Sequence, residues 1–169
     1  HLTIIGSGVG EEAEDLIALG ESLQIPITYM GHLAQEDIGL LYHDMHILIL
    51  PSYAEGLSLV VLEALGAGLR VVATDIENLM AFLPDPFVEK GIIEFVERTS
   101  HHILEENDPR FTTFVNNLEA KVHLQAQRWL EKGTQSYIID MKKIQWSFRV
   151  ESMEKTLAAI VQREKERSN

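Results

Sequence analysis

Apolar residues in the first 75 positions fall into short runs that alternate with amphipathic stretches. Residues 2–5 form an apolar run broken by Gly6-Ser7-Gly8, and over residues 11–23 apolar side chains recur at Ala13, Leu16, Ile17, Leu19 and Leu23. The first is the pattern of a buried strand and the second that of a helix with one apolar face. Glu11, Glu12, Glu14 and Asp15 crowd the first predicted turns, where the helix dipole favours negative charge. The alternation continues with a strand over 25–30 ended by Gly31, a short helix over 36–43, and a strand over 46–50 stopped by Pro51. A helix over 57–66 and a strand over 70–73, leaving through Thr74-Asp75, complete the series. Strands rich in Ile, Leu and Val, separated by about ten helical residues, predict a parallel sheet covered on both faces. With right-handed crossovers this is a doubly wound α/β fold.

Beyond Asp75 the periodicity weakens. Residues 92–95 read as one more strand after Gly91, and 101–109 as a polar loop. Residues 111–132 carry Phe111, Phe114, Val115, Leu118, Val122, Ala126, Trp129 and Leu130, a long amphipathic helix ended by Gly133. One or two further helices are predicted over 137–163, with an apolar stripe at Met153, Leu157, Ile160 and Val161. No internal repeat or low-complexity tract occurs.

A hydrophobic share of 46% with 7% aromatics supplies an aliphatic core and argues against disorder. The absence of cysteine removes a disulfide scaffold, a thiolate zinc site and a cysteine nucleophile. No apolar run approaches the ~18 residues of a membrane-spanning helix. His1 leads directly into a predicted strand, with no Met and no basic-then-apolar leader, so the chain reads as a piece of a longer protein. Its 14 basic and 26 acidic residues give net −12, which repels a phosphate backbone and argues against nucleic acid as a partner. Residues 1–141 hold 22 acids and 7 bases (net −15), whereas residues 142–169 hold 7 bases and 4 acids (net +3). The basic end, Arg163-Glu164-Lys165-Glu166-Arg167, reads as a solvated helix face; peripheral contact with an anionic membrane or an acidic partner is the competing use.

Gly6-Ser7-Gly8-Val9-Gly10 sits between a strand and a helix, the setting of a dinucleotide fingerprint. Glu11 stands at the third glycine position, however, and Tyr29-Met30-Gly31 ends the second strand without the acid a ribose would need. The glycines therefore read as a tight strand-to-helix turn. The seven histidines are scattered without a His-Glu-x-x-His pair, so no metal ligands are assigned, and no Gly-x-Ser-x-Gly elbow occurs. Residues 51–68 carry more. Glu55 follows a strand and Glu63 lies eight residues on, a little over two helical turns, so both carboxylates can face one crevice at the carboxyl end of the sheet. That crevice is expected beside the strand ends near Gly6, Gly31, Pro51 and Ala73. Gly56, Leu57 and Ser58 open a helix whose unpaired amides suit sugar oxygens or phosphate. A carboxylate placed like Glu63 can accept from two ribose hydroxyls. The competing reading makes Glu55 a helix-capping acid and Glu63 a solvated helix residue.

In order along the chain, these segments resemble retaining glycosyltransferases of the B fold, the family-four type also called glycosyl transferases group 1. Residues 2–10 resemble that family's strand and Gly-x-Gly turn, Gly31-His32-Leu33 its Phe-x-Gly loop, and residues 41–51 its Tyr…Asp-x-x-x-Leu-Pro-Ser segment. Residues 51–68 resemble its Glu-x(7)-Glu signature. Residues 66–75 match the next strand, with Arg70 where proline is usual, and residues 144–149 resemble a late Ser-Trp helix. Residues 1–82 are covered well, 137–165 moderately and 83–136 loosely.

The resemblance implies a Rossmann-like doubly wound parallel sheet with C-terminal helices, the C-terminal half of a two-domain enzyme. Residues 1–141 would be the nucleotide-sugar-binding domain lacking its first strand, and residues 142–169 a helix returning toward an N-terminal domain. Implied partners are a nucleotide sugar, UDP-linked by family frequency, and a cell-surface glycan or glycolipid acceptor. The implied place is the cytoplasm or the inner face of the membrane, with no metal or other cofactor. Glu55 would be catalytic, meeting the transferred sugar's hydroxyls. The backbone of Gly56, Leu57, Ser58 and Leu59 would hold sugar and phosphate, Glu63 the ribose, and Gly31-His32-Leu33 the base. This piece alone is expected to be inactive, since the glycine-arginine turn and lysine that clamp the diphosphate in the family precede it. Residues 84–107 depart from the Gly-Leu-Pro-Glu pattern expected after Asp75. A non-catalytic B-fold binding module and a sugar-nucleotide epimerase of the same fold are the alternatives.

Overall fold

A computed structural model describes residues 1–6, 12–56, 58–83, 85–100, 105 and 107–132. Every strand pairing among them is parallel, as the Ile-, Leu- and Val-rich runs predict. The strands join in two ladders, and the ladders belong to two units, His1–Asp44 and the part from Met45 onward. The predicted helices over 137–163, the apolar stripe from Met153 to Val161 and the basic end lie outside the described residues, as does the turn over 7–11.

The first unit runs β1 (Leu2–Ile4), α1 (Glu12–Ser22), β2 (Ile27–Tyr29), α2 (Gln35–Leu41) and a 3₁₀ turn (Tyr42–Asp44). β1 pairs with β2, Leu2 opposite Ile27 and Ile4 opposite Tyr29. Gly20 lets α1 press on β2, since a Cβ there would lie 2.6 Å from Ile27 Cδ1. The predicted helical period is present, yet Leu16, Ile17, Leu19 and Leu23 remain 37–58% exposed.

The second unit contains β3 (Ile47–Leu50), α3 (Leu59–Gly66), β4 (Arg70–Thr74), α4 (Glu77–Phe82), α5 (Asp85–Glu89), β5 (Ile93–Val96) and α6 (Pro109–Lys132). The strand order is β3-β4-β5, with Ile49 opposite Val72 and Thr74 opposite Val96. β4 is central and buried along its whole length. Because side chains alternate along a strand, Arg70, Val72 and Thr74 share a face with Glu94 and Val96. That face meets α6. Phe114 packs on Val72 and Val96, with Ile47, Leu118 and Val122 around them.

Where α6 crosses the starts of the strands the contact turns polar. Arg70, 2% exposed, donates to the Gly91 carbonyl at 3.2 Å and to Gln125 Oε1 at 3.0 Å. Gln125 is wholly buried and donates to the carbonyls of Val71, Gly91 and Ile92. Lys121 and Arg128 both pair with Glu94. Burial alone would raise the Glu94 carboxyl, but these two cations hold it below the ordinary glutamate range.

Three helix-to-strand junctions close in the same way. After α1, α3 and α5 the chain turns through a left-handed residue, Gln24 (φ 56°), Gly68 (φ 89°) and Gly91 (φ 62°). The amide of the next residue then bonds back to the helix: Ile25 to Gly20, Leu69 to Ala64 and Ile92 to Phe87. These are Schellman motifs, which satisfy the last carbonyls and aim an apolar residue into the following strand. At its start α6 is capped by Asp108, whose Oδ1 accepts the Arg110 amide at 2.8 Å, with Pro109 at the first helical position.

Candidate functional site

β3 ends at Leu50, and residues 51–56 and 58, described between it and α3, are in neither helix nor strand. Within this loop Ser52 Oγ donates to Glu55 Oε1 at 2.8 Å, and Glu55 is half-buried. The carboxylate is thus tethered by its own loop. It is not the helix cap: that position belongs to Ser58, extended at φ −74° and ψ 91°, whose carbonyl accepts the Leu62 amide. Ser58 is 2% exposed, and its hydroxyl has no hydrogen-bond partner among the described residues. A buried hydroxyl without a partner at a helix N-terminus leaves a hydrogen bond unmade. Gly56 is exposed with nothing near its missing Cβ, so backbone can approach a ligand closely there. Leu59 is 49% exposed, and Leu57 lies outside the described residues. Glu63 is half-buried on α3.

The other predicted segment belongs to the first unit and is described there. Gly31 adopts φ 64°, and its carbonyl accepts the Gly6 amide at 2.8 Å, which joins the ends of β1 and β2. Tyr29 Oη also donates to the Gly6 carbonyl, at 2.7 Å. His32 is exposed and Leu33 half-buried. Among the described residues no three His, Asp or Glu side chains come together as a metal site would require, and no helix is long and apolar enough to cross a membrane.

Two polar features at this edge have no periodicity to announce them. Ser52, three residues before Glu55, is its hydrogen-bond donor. Arg98, after β5, donates through Nη1 to the Tyr53 carbonyl at 3.2 Å, while its amide donates to Asp75 Oδ1 at 2.6 Å. Arg70 stands out in the sequence only as a departure from the family's usual proline, and its partner Gln125 does not stand out at all.

The Glu55–Glu63 loop and helix, the Gly31 turn and the parallel strands before them all fall within residues 1–94, which match the family profile described as glycosyl transferases group 1. The chain belongs to this family. The O-antigen chain mannosyltransferase B of Escherichia coli is 27% identical to this glycosyltransferase chain over 123 residues, 71% of the chain and 27% of that protein. An uncharacterized glycosyltransferase of Haemophilus influenzae is 41% identical over 73 residues, 43% of the chain and 20% of that protein. Among solved structures, the pneumococcal O-GlcNAc transferase GtfA, in complex with UDP and GlcNAc, superposes with a TM-score of 0.50 at 20% identity. That match covers 94% of this chain and 29% of GtfA. It shows the fold, that of a B-fold glycosyltransferase. The glycosyltransferase chain spans about a quarter of the length of the relatives it matches.

Proposed function

We propose that this chain is the donor-binding part of a retaining glycosyltransferase that moves a hexose or related sugar from a UDP-sugar to a glycan or glycolipid acceptor on the cytoplasmic side. The observation that carries the reading is the stretch after β3. A half-buried Glu55 tethered by Ser52 is followed by a helix start with a buried, partnerless Ser58 hydroxyl and by Glu63 within α3. In the transfer, the bond from the anomeric carbon to the diphosphate breaks, one from that carbon to the acceptor oxygen forms, and the acceptor hydroxyl's proton passes to the departing diphosphate. Glu55 accepts from hydroxyls of the transferred sugar and orients it. The amides from Gly56 to Leu59 and the Ser58 hydroxyl meet sugar and phosphate, where fixed donors stabilise the charge of the leaving diphosphate. Glu63 holds the ribose, and Gly31-His32-Leu33 frames the base.

The acceptor class is supported by the Escherichia coli relative, an O-antigen chain mannosyltransferase by name, and the choice of UDP by the UDP in the pneumococcal structure. No metal is included in this scheme. The test is a panel of nucleotide sugars offered to the full-length protein, read as release of free nucleotide. Release from a UDP-sugar that persists in chelator is expected. No release from any donor overturns the reading, and activity lost to chelator and restored by manganese overturns its metal-free part.

A further inference from the structure

Arg98 lies at the same edge as Glu55 and has no part in the scheme above. It leaves the end of β5 and reaches across the ends of the strands. Its Nη1 donates to the carbonyl of Tyr53, 45 residues earlier in the loop after β3. Its amide donates to Asp75 at the exit of β4, which fixes where the side chain sets out. One residue therefore links the exits of all three strands of the ladder. Arg98 is half-buried and forms no ion pair with a carboxylate among the described residues. Its charge is therefore available to strengthen the bond to the carbonyl.

The loop this bond grips is the one that carries the carboxylate. Tyr53 stands two residues before Glu55, and Ser52, adjacent to Tyr53 in the chain, donates to Glu55 itself. Residues 51–56 have no helix or strand ladder to hold them, so these tethers, together with the Tyr53 ring against Phe114, hold their shape. A reacting sugar must be held to within fractions of an ångström, and about 1 Å of misplacement costs roughly 10²-fold in rate. We propose that Arg98 is a positioning residue for Glu55, holding the 51–56 loop from β5 in the shape that presents the carboxylate to the donor sugar. The inference rests on the reading of Glu55 given above.

The test uses the full-length enzyme, with whichever of UDP-glucose, UDP-N-acetylglucosamine and GDP-mannose it turns over. Arg98→Met is expected to lower kcat about 10- to 100-fold while donor KM stays within about twofold, and Arg98→Lys to recover part of the loss. In a Glu55→Gln background Arg98→Met should cost less than about twofold more, because it acts through the same carboxylate. Amide exchange at residues 52–56 should speed up in Arg98→Met while exchange in β4 is unchanged, a comparison that needs no substrate. Costs that multiply in full, a raised KM with kcat intact, or unaltered exchange in the loop would overturn the inference, the raised KM pointing to direct contact with the donor. Wild-type turnover in Glu55→Gln alone overturns the reading of Glu55 instead. Should Arg98→Met fail to fold, Arg98→Gln, which keeps an N–H donor but loses the reach, carries the same comparisons.

Discussion

Ser52 ties down Glu55 from within the loop, whereas Glu63 projects from α3, and the two carboxylates should fail differently when removed. Glu63→Ala is expected to weaken nucleotide binding through loss of two charge-assisted hydrogen bonds, each about 1.5–3 kcal/mol before water competes. Glu55→Ala is expected to lower kcat more than nucleotide affinity, because its partner is the sugar. Calorimetry with UDP beside turnover measurements checks the pair, and small, equal effects would make both residues merely structural. The pair stands out in the sequence through its likeness to the Glu-x(7)-Glu signature and not through helical phase, since Glu55 lies in the loop ahead of α3. Ser52 and Arg98 do not, because a loop has no period and a tether from 45 residues away leaves no mark on either segment. Arg70 registers in the sequence only as a departure from the family's usual proline, and nothing in the strand names its partner. The answer, Gln125, is wholly buried and bonds Arg70 and three carbonyls. Gln125→Leu is therefore expected to cost about 2–4 kcal/mol, as buried polar groups lose their partner. Denaturant unfolding reads this directly, and a cost below about 1 kcal/mol would mean that water replaces the amide.

Helix and strand identities were legible wherever a run was long enough to show its period, and their ends were not. The predicted strand over 25–30 pairs only over Ile27–Tyr29, because apolar character marks what can be buried and not where a ladder begins. The short helices α4 and α5 escaped notice: at six and five residues neither completes two turns, too little for a period to stand out. Junction chemistry is finer still. Gly68 and Gly91 occupy left-handed positions where glycine costs nothing, but Gln24 occupies the equivalent one after α1. A side chain there costs about 1–2 kcal/mol, and glycine returns part of it as extra unfolded-state entropy. Gln24→Gly is thus expected to stabilise the first unit by about 0.5–1 kcal/mol, measured as slower amide exchange in α1 and β2. The hold of α6 on β5 should depend on acid. Since Lys121 and Arg128 depress the Glu94 carboxyl, its contribution is complete above the ordinary glutamate range and is lost as pH falls through the lowered value. Asp108, held down to about 2 by Arg110, adds a loss over roughly pH 4 to 2. Glu94→Gln should be less stable at pH 7 and show a flatter fall in stability below about pH 4 than the wild type; parallel curves would show that the pairs contribute nothing.

At the scale of the whole molecule the two units differ in how far their apolar residues are covered. β4 is buried at all five positions, and α3, α5 and α6 add Val61, Leu65, Phe87 and Phe114 to its core. No residue of β1 or β2 is buried, and Leu2, Ile5, Ile25 and Met30 are 37–46% exposed. Among the described residues β1 pairs with β2 alone, and two short strands with a half-covered helix are marginal in water. This division was not legible: hydrophobic periodicity predicts which faces are apolar and is silent on which strands share a ladder. The relatives are roughly two to three times as long as this chain, and a strand ahead of β1, as the family resemblance implies, would add a second ladder to it. Local stability follows buried apolar contact, so amides in β4 are expected to exchange near the rate of global unfolding. Those of β1 and β2 should exchange at least about 100-fold faster in the isolated 169-residue chain. In the full-length protein the gap should narrow, as a neighbouring strand pairs with β1 and apolar cover reaches Leu16, Ile17 and Leu19. Native-state hydrogen exchange on both forms measures this. A first unit equally protected in the isolated chain would mean that it is already covered, whereas one that stays unprotected in the full-length protein would remove the expected strand.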